Sequence, residues 1–118
     1  MTALDDTILA ELRSLGDDAF LKELAGTYAL HAEKQLALMR GALAAADRIA
    51  FRRYLHAIAG ASLNVGATAV ATACRAAEEA LDDKRSIPRH DQLASVETEI
   101  GNAVAALWGI APTVELAK

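Results

Sequence analysis

The stretch Asp47-Arg48-Ile49-Ala50-Phe51-Arg52-Arg53-Tyr54-Leu55-His56-Ala57-Ile58-Ala59-Gly60-Ala61-Ser62-Leu63-Asn64-Val65-Gly66 decides the fold. Asp47 is a good helix N-cap, because a carboxylate there accepts from the unpaired amides of the first turn. Phe51, Leu55 and Ile58 recur at helical spacing and form one apolar stripe. Gly66 can adopt the left-handed conformation that closes a helix. With that stripe turned inward, His56 faces largely outward. Arg52 and Arg53 precede it by one turn, and Ala59 and Gly60 follow by one turn, so its face mixes positive charge with an absence of side chain.

Upstream, Ile8, Leu9, Leu12 and Leu15 recur at helical spacing behind Asp5 and before Gly16, which predicts a short first helix. From Asp17 or Asp18, Phe20, Leu21, Leu24, Tyr28, Ala32, Leu36, Met39 and Leu43 continue without a proline toward Asp47. This second helix is long, about 25 residues by its periodicity. Its polar face carries Lys22, Glu23, Glu33, Lys34 and Arg40. The short link at Asp47 makes the second and third helices antiparallel neighbours.

Downstream, Ala67, Val70, Ala71, Cys74, Ala77 and Leu81 give a fourth stripe, and Leu93, Val96, Ile100, Val104 and Leu107 a fifth. Between them, Asp82 to Asp91 reads as the longest connection and includes Lys84, Arg85, Pro88, Arg89 and His90. Glu78, Glu79, Asp82 and Asp83 oppose the dipole at the end of the fourth helix, which predicts fraying there. Trp108 and Gly109 close the last helix. The 118 residues thus read as one all-α domain, an antiparallel four-helix bundle with an additional short N-terminal helix, its core about 4–109 and a tail over 110–118.

Composition supports that reading and removes several functions. Apolar residues make up 53% of the chain and aromatic residues only 4%, so the core must be built from small and aliphatic side chains that allow close helix approach. A formal net charge of -4 argues against binding nucleic acid, which needs a strongly basic face. Asp5 and Asp6 stand where a signal peptide has basic residues, and no segment approaches ~18 uncharged apolar residues, so neither export nor membrane insertion is expected. The single cysteine, Cys74, excludes an internal disulfide, and the reducing cytoplasm is the natural compartment.

Catalytic patterns are scarce. No Glu-x-x-His spacing precedes His31, His56 or His90, so a di-metal carboxylate site is unsupported and no metal is expected. Neither a Walker-type phosphate loop nor a nucleophile-elbow serine is present. What remains is His56. Histidine ordinarily titrates near about 6.5, so a neutral imidazole is a competent nucleophile at cellular pH. Gly60 in a helix interior costs about 1 kcal/mol against alanine. Either close helix packing requires it, or it clears a gap beside His56 through which another protein approaches.

The run from Leu55 through Ala67, with Val70, Cys74, Ala77 and Glu78, resembles the signature of histidine phosphotransfer domains. That signature has a histidine, an aliphatic residue two positions on, a glycine four on, a small or serine pair, and Gly-Ala opening the next helix, with a cysteine and a glutamate following. The resemblance covers about Leu4 to Trp108 and is most specific from His56 to Glu78. It implies that His56 takes a phosphoryl group from the phospho-aspartate of one receiver domain and passes it to another. It implies response-regulator receivers as partners, with a hybrid sensor histidine kinase as a further one. It also implies no cofactor on this chain, the magnesium ion being the receiver's. Gly60, Arg52, Arg53, Ala59 and Ser62 are the supporting positions.

The sequence departs from the pattern at two places. The family usually carries lysine three residues after the histidine, where this chain has Ala59, and Leu55 replaces the commoner alanine before it. Losing the lysine removes a positive charge that could attract a phosphoryl group or an acidic receiver, and Arg52 and Arg53 are placed to substitute. Ala59 also keeps open a degenerate domain of the same fold that binds a receiver, a kinase or another protein without being phosphorylated. Elsewhere, His31 and His90 read as solvated, Cys74 as a buried thiol, Lys84, Arg85 and Arg89 as a solvated loop, and Trp108 as a bundle-end core residue.

Overall fold

A computed structural model describes residues 4–16 and 18–110. Five helices follow in order: α1 (Asp6–Leu15), α2 (Asp18–Ala44), α3 (Arg48–Asn64), α4 (Thr68–Ala80) and α5 (His90–Ile110). Helix α3 packs on α2 and α4, and α5 closes the ring by packing on α2 and α4. The result is the all-α four-helix bundle with an extra short N-terminal helix that the periodicity predicts. The expected tail begins at the end of α5, and residues 111–118 lie outside the described residues.

The inward stripes are those read from the sequence. Phe51, Leu55 and Ile58 of α3 are fully buried, as are Val70 and Cys74 of α4 and Val96 of α5. From α2, Tyr28, Ala32, Leu36 and Met39 join the same cluster. Many of these positions are alanines, including Ala25, Ala32, Ala67 and Ala103, and they let the backbones approach closely. Trp108 is half-buried at the bundle end, where its ring lies opposite Gly26.

The capping predictions hold at two helix starts. The Asp5 carboxylate accepts from the Thr7 and Ile8 amides, and the Asp47 carboxylate from the Ala50 amide. Helix α3 ends in a Schellman turn: the Ala67 amide donates to the Ser62 carbonyl and the Gly66 amide to the Leu63 carbonyl, with Gly66 at φ 76°. A Cβ at Gly66 would also stand 3.0 Å from Ile8 Cβ, because α1 begins against this turn. The Asp5 amide donates to the Gly66 carbonyl at 2.6 Å, and Leu4 is buried beside it. Helix α2 ends in the same motif. The Asp47 amide reaches the Ala42 carbonyl and the Ala46 amide the Leu43 carbonyl, but Ala46, at φ 53°, occupies the left-handed position.

Two expectations near the α4–α5 connection are corrected. The acidic end of α4 is held by its neighbour and not left to fray. Arg48 donates to the Leu81 carbonyl, and Arg52 donates to the Glu78 carbonyl and pairs with Asp82. Two guanidinium groups from α3 therefore satisfy carbonyls that the acidic side chains could not. His90 is not a loop residue but the first residue of α5. The Gln92 side chain accepts from the Arg89 amide, a capping contact that starts the helix inside the polar segment.

Candidate functional site

The site is assembled on the exposed side of α3 where α4 lies beside it. His56 stands two turns into α3 with a side chain 82% exposed, as expected from the inward turn of its neighbours Leu55 and Ile58. Its Nδ1 lies 3.4 Å from Glu78 Oε1 of α4. A carboxylate at that distance favours a proton on Nδ1, which leaves the Nε2 lone pair for solvent or a partner. Glu78 is only 17% exposed, so the carboxylate is braced by packing while the imidazole is not.

Gly60 separates the two readings offered by the sequence. A Cβ built on it meets nothing within 4 Å, and the residue is exposed. Close helix packing is therefore not what this glycine serves. It leaves an open flank one turn beyond His56.

The imidazole borders two shallow depressions. One is lined by Arg48, Ile49, Arg52, Arg53 and Glu78, the other by Arg52, Arg75, Glu78 and Glu79. Arg52 and Arg53 thus fall near His56 as expected. Arg52, however, is committed to the Glu78 carbonyl and Asp82, whereas Arg53 is exposed and makes no ion pair among the described residues. Arg75 comes from α4 and has no signal in the periodicity of α3, which is why the sequence reading does not include it. Arg48 escapes it for the opposite reason: it lies two turns before His56, and its bond to the Leu81 carbonyl is a tertiary contact.

Two expected supporting residues are placed elsewhere. Ala59 is 2% exposed and belongs to the core, so it contributes packing and no charge. Ser62 is fully buried, its hydroxyl 2.6 Å from the Tyr28 hydroxyl. That pair is a satisfied polar contact inside the α2–α3 seam and does not reach the surface around His56. Leu55 is likewise fully buried.

Cys74 behaves as read from its stripe. Cys74 is buried, and burial pushes its thiol up to about 12, the charge of Glu78 adding to the effect. Among the described residues no group of histidine, cysteine and acidic side chains could hold a metal ion, and no helix is long and apolar enough to cross a membrane. An exposed imidazole with a carboxylate behind it and basic residues around it can act as a nucleophile toward an electrophile that another molecule delivers.

The structure is similar to the crystal structure of histidine-containing phosphotransfer protein B (HptB) from Pseudomonas aeruginosa PAO1, with a TM-score of 0.82 and 28% sequence identity over 92% of this chain and 94% of that one. No curated protein matches the sequence. The family model of the Hpt domain matches residues 23–109, which contain α3, α4, the connection and most of α2 and α5. On that match the chain belongs to the histidine phosphotransfer (Hpt) domain family, whose members work in phosphorelays with response-regulator receivers.

Proposed function

We propose that His56 is the phosphoryl acceptor and donor of this domain. The observation that carries the reading is the exposed imidazole of His56 with its Nδ1 against Glu78 and its flank cleared at Gly60. In the forward step the Nε2 lone pair attacks the phosphorus of a receiver's aspartyl phosphate. The N–P bond forms as the acyl O–P bond breaks, and the carboxylate leaves with the bonding pair. The Nδ1 proton stays in place, and Glu78 offsets the positive charge that develops on the ring. The reverse step returns the phosphoryl group to an aspartate of a second receiver.

The domain supplies a nucleophile and a docking face and holds no cofactor of its own. Electrostatic stabilisation of the transferring group comes from the receiver and its magnesium ion, which is why a shallow surface suffices here. The receivers are cytoplasmic response regulators, and a receiver attached to a hybrid sensor histidine kinase is a donor of the same chemistry. Incubating the protein with a phosphorylated receiver tests the reading. His56→Gln should lose all acid-labile, base-stable label while keeping its helical signal and thermal midpoint, because an imidazole this exposed contributes little packing.

A second reading has one observation in its favour, the buried Ala59 in place of the family's lysine. In that case the domain binds a receiver without being phosphorylated. Stable receiver binding with no label in the parent protein would select it.

A further inference from the structure

The phosphoryl group proposed for His56 would arrive among acids. Glu78 and Glu79 line the same depression as the imidazole, and a phosphoryl group adds about -1.5 to -2 charges at neutral pH. A cation must offset that repulsion. The family's lysine position cannot supply it, since Ala59 is a core residue.

The register of α3 against α4 shows where a cation is available. Arg48 meets the Leu81 carbonyl and Arg52, one turn on, meets the Glu78 carbonyl, so a turn toward the end of α3 corresponds to a turn toward the start of α4. Arg75 lies one turn before Glu78 on α4. Continued by one turn, that register puts Arg75 level with the turn of α3 that carries His56. Arg75 and His56 line one depression, and Arg75 is exposed with no ion pair among the described residues. Arg48 and Arg52 are already spent on the end of α4. Arg53 lines only the first depression, the one without Glu79.

We infer that Arg75 is the cation that holds the phosphoryl group carried by His56, supplying from α4 the charge that position 59 lacks on α3. The inference rests on the reading of His56 as the relay residue. The guanidinium donates to the phosphoryl oxygens and shields them from Glu78 and Glu79, while Arg52 fills the same depression as a fixed structural charge.

Phosphorylation with phosphoramidate, which needs no receiver, separates the two ideas. In a His31→Gln/His90→Gln background the phosphorylated protein is titrated by phosphorus NMR. Removing the cation with Arg75→Gln should raise the pH at which the dianionic phosphoryl group takes up a proton by about half a unit or more. Arg75→Lys should restore most of it, and Arg53→Gln should give the smaller shift. In receiver assays Arg75→Gln should slow uptake roughly tenfold, the rate equivalent of one charge-assisted hydrogen bond. A titration unchanged in Arg75→Gln, or a larger shift in Arg53→Gln, overturns the role of Arg75 and leaves His56 standing. A protein that phosphoramidate labels at His56 but that no phosphorylated receiver labels overturns the relay reading itself.

Discussion

The hydroxyl groups of Tyr28 and Ser62 lie 2.6 Å apart in the seam between α2 and α3, both residues removed from water. Each satisfies the other in a region that is otherwise apolar. The pair therefore fixes how the long helix sits against the helix that carries His56. Tyr28→Phe and Ser62→Ala should each cost about 1–2 kcal/mol, because each leaves one buried hydroxyl unpaired. The double variant should cost less than their sum. Strictly additive losses in denaturant unfolding would show that the contact contributes nothing beyond its separate groups.

The turn between α2 and α3 carries strain that a single substitution removes. Ala46 holds the left-handed position of a Schellman turn, at φ 53°, where the equivalent position after α3 has Gly66. Ala46→Gly should stabilise the protein by about 1 kcal/mol, the steric cost of an L side chain in that region. Its midpoint in urea should rise with an unchanged slope. A fall in midpoint would mean that backbone freedom in the unfolded chain outweighs the strain.

Gly60 makes opposite predictions for stability and for transfer. Its Cβ direction is open, so Gly60→Ala should stabilise α3 by about 0.5–1 kcal/mol. Gly60→Arg should fold equally well, arginine being a better helix former, yet block a receiver from reaching His56. Thermal melting and phosphoryl uptake measured on both variants decide the matter. A loss of fold in either variant would contradict the open flank.

Cys74 sets an alkaline limit. Its thiol titrates at about 12 in the folded protein against an ordinary value of 9.0. The unfolded chain therefore gives up this proton first. The stabilisation is fully present below about pH 9 and is lost as the pH rises toward the folded value. Burial raises the Tyr28 phenol more than its Ser62 hydrogen bond lowers it, which adds a decline of the same sign. Cys74→Ala should flatten, without abolishing, the fall in unfolding free energy between about pH 9 and 11. An identical slope in the variant would assign the decline to other groups.

What was legible in the sequence follows a physical division. Periodicity places Phe51, Leu55 and Ile58 inward, and that alone turns His56 outward, because the faces of a helix are fixed by its own geometry. Caps such as Asp5 and Asp47 act within three residues and are equally readable. Contacts between helices are not. The clasp of Arg48 and Arg52 on the end of α4 joins residues about thirty positions apart, so the acidic run at Glu78 to Asp83 suggests fraying when read locally. Ser62 looks like a site residue until its partner Tyr28, on another helix, is known. Arg75 has no local mark at all. Ala46 is missed because alanine gives no hint of a left-handed turn, whereas Gly66 does.

The most direct test of the central claim is to locate the phosphoryl group after exchange with a phosphorylated receiver, using phosphorus–nitrogen correlation NMR on nitrogen-15-labelled protein. One phosphohistidine is expected, at His56, bonded through Nε2 because Nδ1 faces Glu78. A phosphoryl group on His31 or His90, or on Nδ1 of His56, would contradict it.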